Sequence, residues 1–282
     1  MIRSFLIIQI VLLASHCSAT VAAAAEQLEY KTLENVPYRG EITESSYASE
    51  RCRLDIYYPA TAKQFPTVVW FHGGGLKNGN RYIPAGLKNK RLAIVAVGYR
   101  LSPRVKVATI LDDAAAAVAW TFNNIDKYGG TRKLIFISGH SAGGYITSML
   151  GLNGQLLKAH NIESNSIAGL IPYSGHAITH FTARAEQGIG DKQPTIDKFA
   201  PLFHVKKDCP PMLLVTGDRD LELLGRYEEN AYFWRMMKVV GNTTTTLREI
   251  KGHNHGQMVK TAHPFLIEFI ERRASEIQTA IK

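Results

Sequence analysis

Short uninterrupted apolar runs alternate along the chain with longer stretches of helical periodicity. Pro66 to Phe71, Leu92 to Val97, Leu134 to Ser138, Ile167 to Pro172 and Met212 to Thr216 hold too few polar positions for strands with one face in water. Such continuity predicts strands buried on both faces, as in a parallel sheet covered by helices on either side. Residues 27–60 read as opening strands, with period-two alternation over Arg51 to Tyr58 that stops at Pro59, and residues 244–250 read as a further strand. Helices are expected over 109–127, from the turn after 138 to about 152, around 226–240 and over 258–277. The first has an Ala-rich face suited to close sheet packing, with Asp112 and Asp113 near its start, where carboxylates complement the helix dipole. The alternation gives an α/β fold with a mostly parallel central sheet. Residues 174–210 break the rhythm. This long connection is rich in Gly, His and polar residues and is expected to cover the site as a small cap. No linker sets it apart, so 26–282 reads as one domain.

The amino terminus stands outside this pattern. Met1-Ile2-Arg3 is followed by an apolar stretch from Phe5 to Ala14 and then by small residues, the layout of a secretory signal peptide over 1–25. The stretch is shorter than the roughly 20 apolar residues a membrane span needs. Cys17 offers a lipid-anchored alternative, against which His16 stands where a small residue is expected. The expectation is a secreted or periplasmic protein without stable membrane insertion. The formal net charge of +9 comes from basic residues spread along the chain, which describes a solvated surface and no nucleic-acid-binding module. Export leaves open a Cys52–Cys209 disulfide, which spacing alone does not decide.

Chemistry gathers where the apolar runs end, at the loops where open α/β sheets place their ligands. After Leu134 to Ser138 comes Gly139-His140-Ser141-Ala142-Gly143-Gly144. A strand breaking at Gly-x-Ser-x-Gly and entering a helix is a nucleophile elbow, with the serine held clear of the sheet at a helix N-terminus. Glycines flank Ser141 because side chains in so tight a turn would collide. After Phe71 comes His72-Gly73-Gly74-Gly75. The amides of Gly73 and Gly74, with that of Ala142, are the expected oxyanion hole. A phosphate cradle is the alternative, but it lacks the following Lys-Ser or Lys-Thr. His72 is expected to brace its loop.

After Thr216, Gly217-Asp218-Arg219-Asp220 supplies a carboxylate. Asp220, offset by three from Gly217, is expected to orient the base, and Asp218 to form the turn. Gly252-His253-Asn254-His255-Gly256 supplies the base, with His255 preferred to His253. A His-x-His metal pair is the competing reading, without a third ligand cluster or a His-Glu-x-x-His helix. The order Ser141, Asp220, His255 is that of the α/β-hydrolases.

On these motifs the chain resembles the α/β-hydrolase superfamily over residues 30–277, and within it bacterial esterase/lipase-like members. Gly98-Tyr99-Arg100-Leu101-Ser102-Pro103 is similar to the Tyr-Arg-Leu segment of hormone-sensitive-lipase-like esterases, which carry Asp at the position of His140. The chain is also similar to the branch containing bacterial feruloyl and acetyl esterases and kynurenine-formamidase-like enzymes. The resemblance implies hydrolysis of carboxylic esters through an acyl-enzyme, without metal or organic cofactor, on small or polysaccharide-linked substrates. Amide or peptide hydrolysis, and a catalytically silent fold used for binding, are the alternatives.

Overall fold

A computed structural model describes residues 28–40 and 46–281; the expected leader lies outside them. In chain order the elements are β1 (Tyr30–Pro37), α1 (Ser46–Arg51), β2 (Arg53–Pro59), β3 (Phe65–Phe71), β4 (Ala93–Val97), α2 (Val107–Asn124), β5 (Gly130–His140), α3 (Ala142–Leu152), α4 (Gly154–Lys158), β6 (Gly169–Tyr173), α5 (Phe181–Glu186), β7 (Met212–Gly217), α6 (Arg226–Val239), β8 (Thr245–Ile250) and α7 (Met258–Ile281). The eight strands form one sheet in the order β1-β2-β4-β3-β5-β6-β7-β8. β1 and β2 run antiparallel at one edge, and β3 to β8 are parallel.

Period-two geometry divides the central strands between two cores. Val69, Phe71, Val95, Val97, Ile135, Ile137 and Leu214 face α2, α3 and α6. Their neighbours Val68, Trp70, Ile94, Phe136, Tyr173 and Val215 face α7. That is why these runs lack polar positions. β8, the strand at the sheet's other edge, keeps exposed Thr246 between buried Thr245 and Ile250. α1 falls where an opening strand was expected.

α2 begins at Val107, so Asp112 and Asp113 lie beyond its first turn and serve as ion-pair partners in place of the expected dipole role. Asp113 is fully buried and held by Arg100 (2.7 Å) and Arg39 (2.8 Å), and Asp112 bonds Arg39 and His160. Cys52 and Cys209 are free thiols, so the disulfide left open by the sequence does not form.

After β3 the chain first builds β4 on one side, then crosses through α2 to β5 on the other. The carboxyl ends of β3 and β5 therefore flank the point where strand order reverses, the position where such sheets open a crevice. The cap connection contributes α5 and a short turn at Pro201–His204.

Candidate active site

Five neighbouring strand ends contribute to one edge of the sheet: His72 to Gly75 after β3, His140 and Ser141 at β5, Ser174 after β6, Glu222 after β7 and His255 after β8. Ser141 occupies φ +57°, ψ −114°, a conformation few L-residues adopt. Its amide donates to Tyr173 O (2.8 Å), and its carbonyl accepts the first helical bond, from Tyr145 N (2.9 Å). The turn closes only because its neighbours lack side chains. A methyl on Gly143 would stand 2.0 Å from the Phe71 carbonyl oxygen.

The triple-glycine turn lies against this elbow. A methyl on Gly73 would be 3.3 Å from Ser141 Cβ, and Gly74, at φ +105°, leaves no room for one beside Asn78. Among the described residues, the amides of Gly73, Gly74 and Ala142 have no hydrogen-bond acceptor. The cap braces this turn: Thr182 Oγ1 donates to Gly75 O (2.6 Å), and the Phe181 ring packs on Gly75. His72 is buried, stacked on Tyr99 at 4.2 Å, with Tyr99 Oη donating to its carbonyl. Burial pushes its pKa down to about 4.

The base and acid positions separate the expected residues. His255 Nδ1 lies 2.9 Å from Glu222 Oε2. His253 is occupied elsewhere, by Lys251 O and Thr261 Oγ1. Asp220, the expected acid, is exposed, and its amide donates to Asp218 Oδ1. Glu222 takes the place assigned to Asp220 because the chain after Gly217 does not leave the strand directly. Asp218 accepts from Gly252 N (2.7 Å) and Asp220 N (2.9 Å), which folds the loop so that position 220 faces water and 222 turns inward. A lone carboxylate inside Leu221-Glu222-Leu223-Leu224 is the signal that marks it in the sequence.

Glu222 is fully engaged. Oε1 accepts from Gly217 N (2.9 Å) and Ser174 Oγ (2.7 Å), and Oε2 accepts from Leu223 N (2.9 Å) as well as His255. Burial alone would raise its pKa, but the bonds from His255 and Ser174 outweigh it and hold the pKa at about 2. His140, beside Ser141, donates from Nε2 to His255 O (2.8 Å), with the two rings 4.6 Å apart. Burial, reinforced by His255, lowers the His140 pKa to about 4 and keeps the ring neutral. Among the described residues no group of three His, Cys, Asp or Glu could hold a metal ion, and no helix is long and apolar enough to cross a membrane.

The sheet is that of the α/β-hydrolase fold. A truncated carbohydrate esterase from gut microbiota superposes with a TM-score of 0.72 at 19% identity, covering 89% of this chain and 99% of that one. Esterase B from Lactobacillus rhamnosis, in an inhibited form, does so at 0.72 and 18% identity over 91% and 90%. The chain belongs to the BD-FAE family, whose model matches residues 54–224. By sequence it is similar to the esterase LipC of Mycobacterium tuberculosis, 24% identical over 69% of this chain and 53% of that protein. It is also similar to the carboxylesterase NlhH of the same species, 33% identical over 59% and 55%. The chain thus spans about half the length of these relatives.

Proposed function

We propose that this protein is a serine carboxylic-ester hydrolase with Ser141 as nucleophile, His255 as base and Glu222 as the orienting acid. The observation that carries this reading is the part-buried Glu222–His255 pair, at the sheet edge that holds the strained Ser141. Glu222 accepts a hydrogen bond from Nδ1–H of His255, which leaves Nε2 unprotonated to take the Ser141 proton as the hydroxyl attacks the ester carbonyl. Charge builds on the carbonyl oxygen, where the amides of Gly73, Gly74 and Ala142 receive it; each such donor supplies roughly 3–4 kcal/mol of transition-state stabilisation. The histidine returns its proton to the departing alcohol, then activates water to release the acid. No step needs a metal or organic cofactor.

Small carboxylic esters are the proposed substrate class, extending to acetyl or feruloyl groups on plant polysaccharide. Family membership and the esterase relatives support the first part, and the carbohydrate esterase neighbour supports the second by analogy of fold. The leader over 1–25 supports secretion or a periplasmic location, which N-terminal sequencing of the mature protein checks.

The test is hydrolysis of acetyl, butyryl, longer-chain and feruloyl esters by the wild-type protein and Ser141→Ala. Turnover of at least one ester, lost by roughly 10³-fold or more in the variant, is expected. Near-normal turnover by the folded variant overturns the assignment, and uptake of a fluorophosphonate label distinguishes an active serine from a silent fold.

A further inference from the structure

We propose that Ser174 is a positioning residue for the reaction, its hydroxyl locking the Glu222 carboxylate in the orientation that accepts the hydrogen bond from Nδ1–H of His255. This rests on the Ser141–His255–Glu222 reading above. Ser174 Oγ donates to Glu222 Oε1 (2.7 Å) and stands 3.0 Å from His255 Nδ1, so one hydroxyl touches both members of the pair. A carboxylate offers about four acceptor sites, and here all are taken. One is filled by the amide of Gly217, the last residue of β7, and one by the amide of Leu223, in the loop that carries Glu222. Besides His255 itself, Ser174 is the donor that reaches Glu222 from outside β7 and its loop, and it ties the carboxylate to the end of the neighbouring strand β6.

The backbone at Ser174 is built for that aim. It is fully buried at φ +46°, a left-handed conformation that glycine would adopt at lower cost. The bend is held from both sides: Ser174 N donates to Val215 O (2.7 Å), and Ser174 O accepts from Arg226 Nη1 (2.6 Å). Arg226 is itself buried, its Nη2 lying 2.9 Å from His176 Nε2, and His176 Nδ1 lies 3.0 Å from Glu229. A charged network on α6 thus anchors the carbonyl whose residue points its hydroxyl at the acid. A serine where glycine would relax the chain implies that the hydroxyl is what the position supplies.

The consequence falls on the step in which His255 becomes an imidazolium. Glu222 stabilises that cation only while Oε2 faces Nδ1, and rotation of the carboxylate would spend the bond on another partner. Ser174 therefore acts on kcat and leaves ground-state binding alone.

The test is a double-mutant cycle on a short p-nitrophenyl ester. Ser174→Ala and Ser174→Gly are each expected to lower kcat about tenfold, with KM changed less than about twofold, as for one lost bond to a charged group. In a Glu222→Ala background, adding Ser174→Ala should change kcat less than about twofold, because the hydroxyl has no carboxylate left to hold. Equal fold-losses in both backgrounds, a rise in KM at unchanged kcat, or full kcat in the single variants overturns the proposal. Ser174→Gly suits the left-handed backbone and keeps the cycle measurable should alanine fold poorly. If Glu222→Ala alone retains full activity, the triad assignment fails and the Ser174 role falls with it; loss in Glu222→Ala with none in Ser174→Ala rejects only the latter.

Discussion

The turn after β5 and the loop after β7 each follow a buried strand, and each delivers one residue to the same edge of the sheet. They are built by different constraints. The elbow at 139–144 is specified by contact: Gly139, Gly143 and Gly144 each face backbone atoms at distances where a methyl would overlap, below 3 Å in every case. The residue that emerges, Ser141, has no freedom to be elsewhere. The loop at 217–224 is specified by reach. Several carboxylates lie within it, and the one that meets His255 is decided by how Asp218 ties the loop to Gly252, a contact across 34 positions of sequence. Local steric demand writes itself into residue types, whereas a long-range hydrogen bond does not.

The sharpest way to break this contrast is to compare carboxylates. Glu222→Gln is expected to lower kcat/KM of ester hydrolysis by roughly 10²–10⁴-fold, as when a triad acid is made neutral and the tautomer of its histidine is wrong. Asp220→Asn, at an exposed position, should change it less than about twofold. Steady-state kinetics on one ester decides, and the reverse ranking would return the acid role to Asp220. Next in size is a change at the elbow. Gly143→Ala forces a methyl into the Phe71 carbonyl, and the backbone has nowhere to yield; a loss of about 3 kcal/mol or more is expected, seen as a fall in Tm of roughly 10 °C. An unchanged Tm would mean that the turn is looser than these contacts require.

Legibility follows the same division. The continuous apolar strands, the elbow, the triple-glycine turn and the choice of His255 over His253 rest on short-range rules, namely alternation, turn sterics and proximity to a helix start. The structure places the strands within a few residues of their expected bounds, and sets 139–144, 72–75 and His255 at strand ends along one edge of the sheet. What the sequence withheld depends on partners distant along the chain. Glu222 is distinguished from Asp220 only by folding of the loop against β8, and Asp113 gains its buried role only when Arg39 and Arg100 converge on it. Ser174 looks like an ordinary polar residue at the start of the cap until β6 is placed beside β7.

The smallest expected effect per residue concerns acid, and it separates the two regions once more. The oxyanion and elbow side holds neutral buried histidines, His72 and His140, and the sheet's other face holds His263, each with a pKa lowered to about 4 chiefly by burial. A histidine whose folded pKa lies below its unfolded value contributes stability that is full above about 6.5 and is lost as pH falls toward 4, because the unfolded chain binds the proton first. Glu222 titrates differently. Its depressed pKa contributes stability above about 4.5 that is lost only as pH falls toward 2. Between pH 6.5 and 4.5, then, Glu222 stays ionised while the buried histidines weaken the fold, His176 and His180 included, their pKa values also lowered chiefly by burial. For the well-buried rings of His72 and His263 the loss at pH 5 is about 2 kcal/mol each. Urea melts from pH 7 to 5 should show stability falling with a slope of more than one proton. His263→Leu, which keeps the site intact, should flatten that slope by about one proton. A slope that appears only below pH 4.5 would place the acid sensitivity in the Glu222 loop, and the contrast between the two regions would then not extend to protonation.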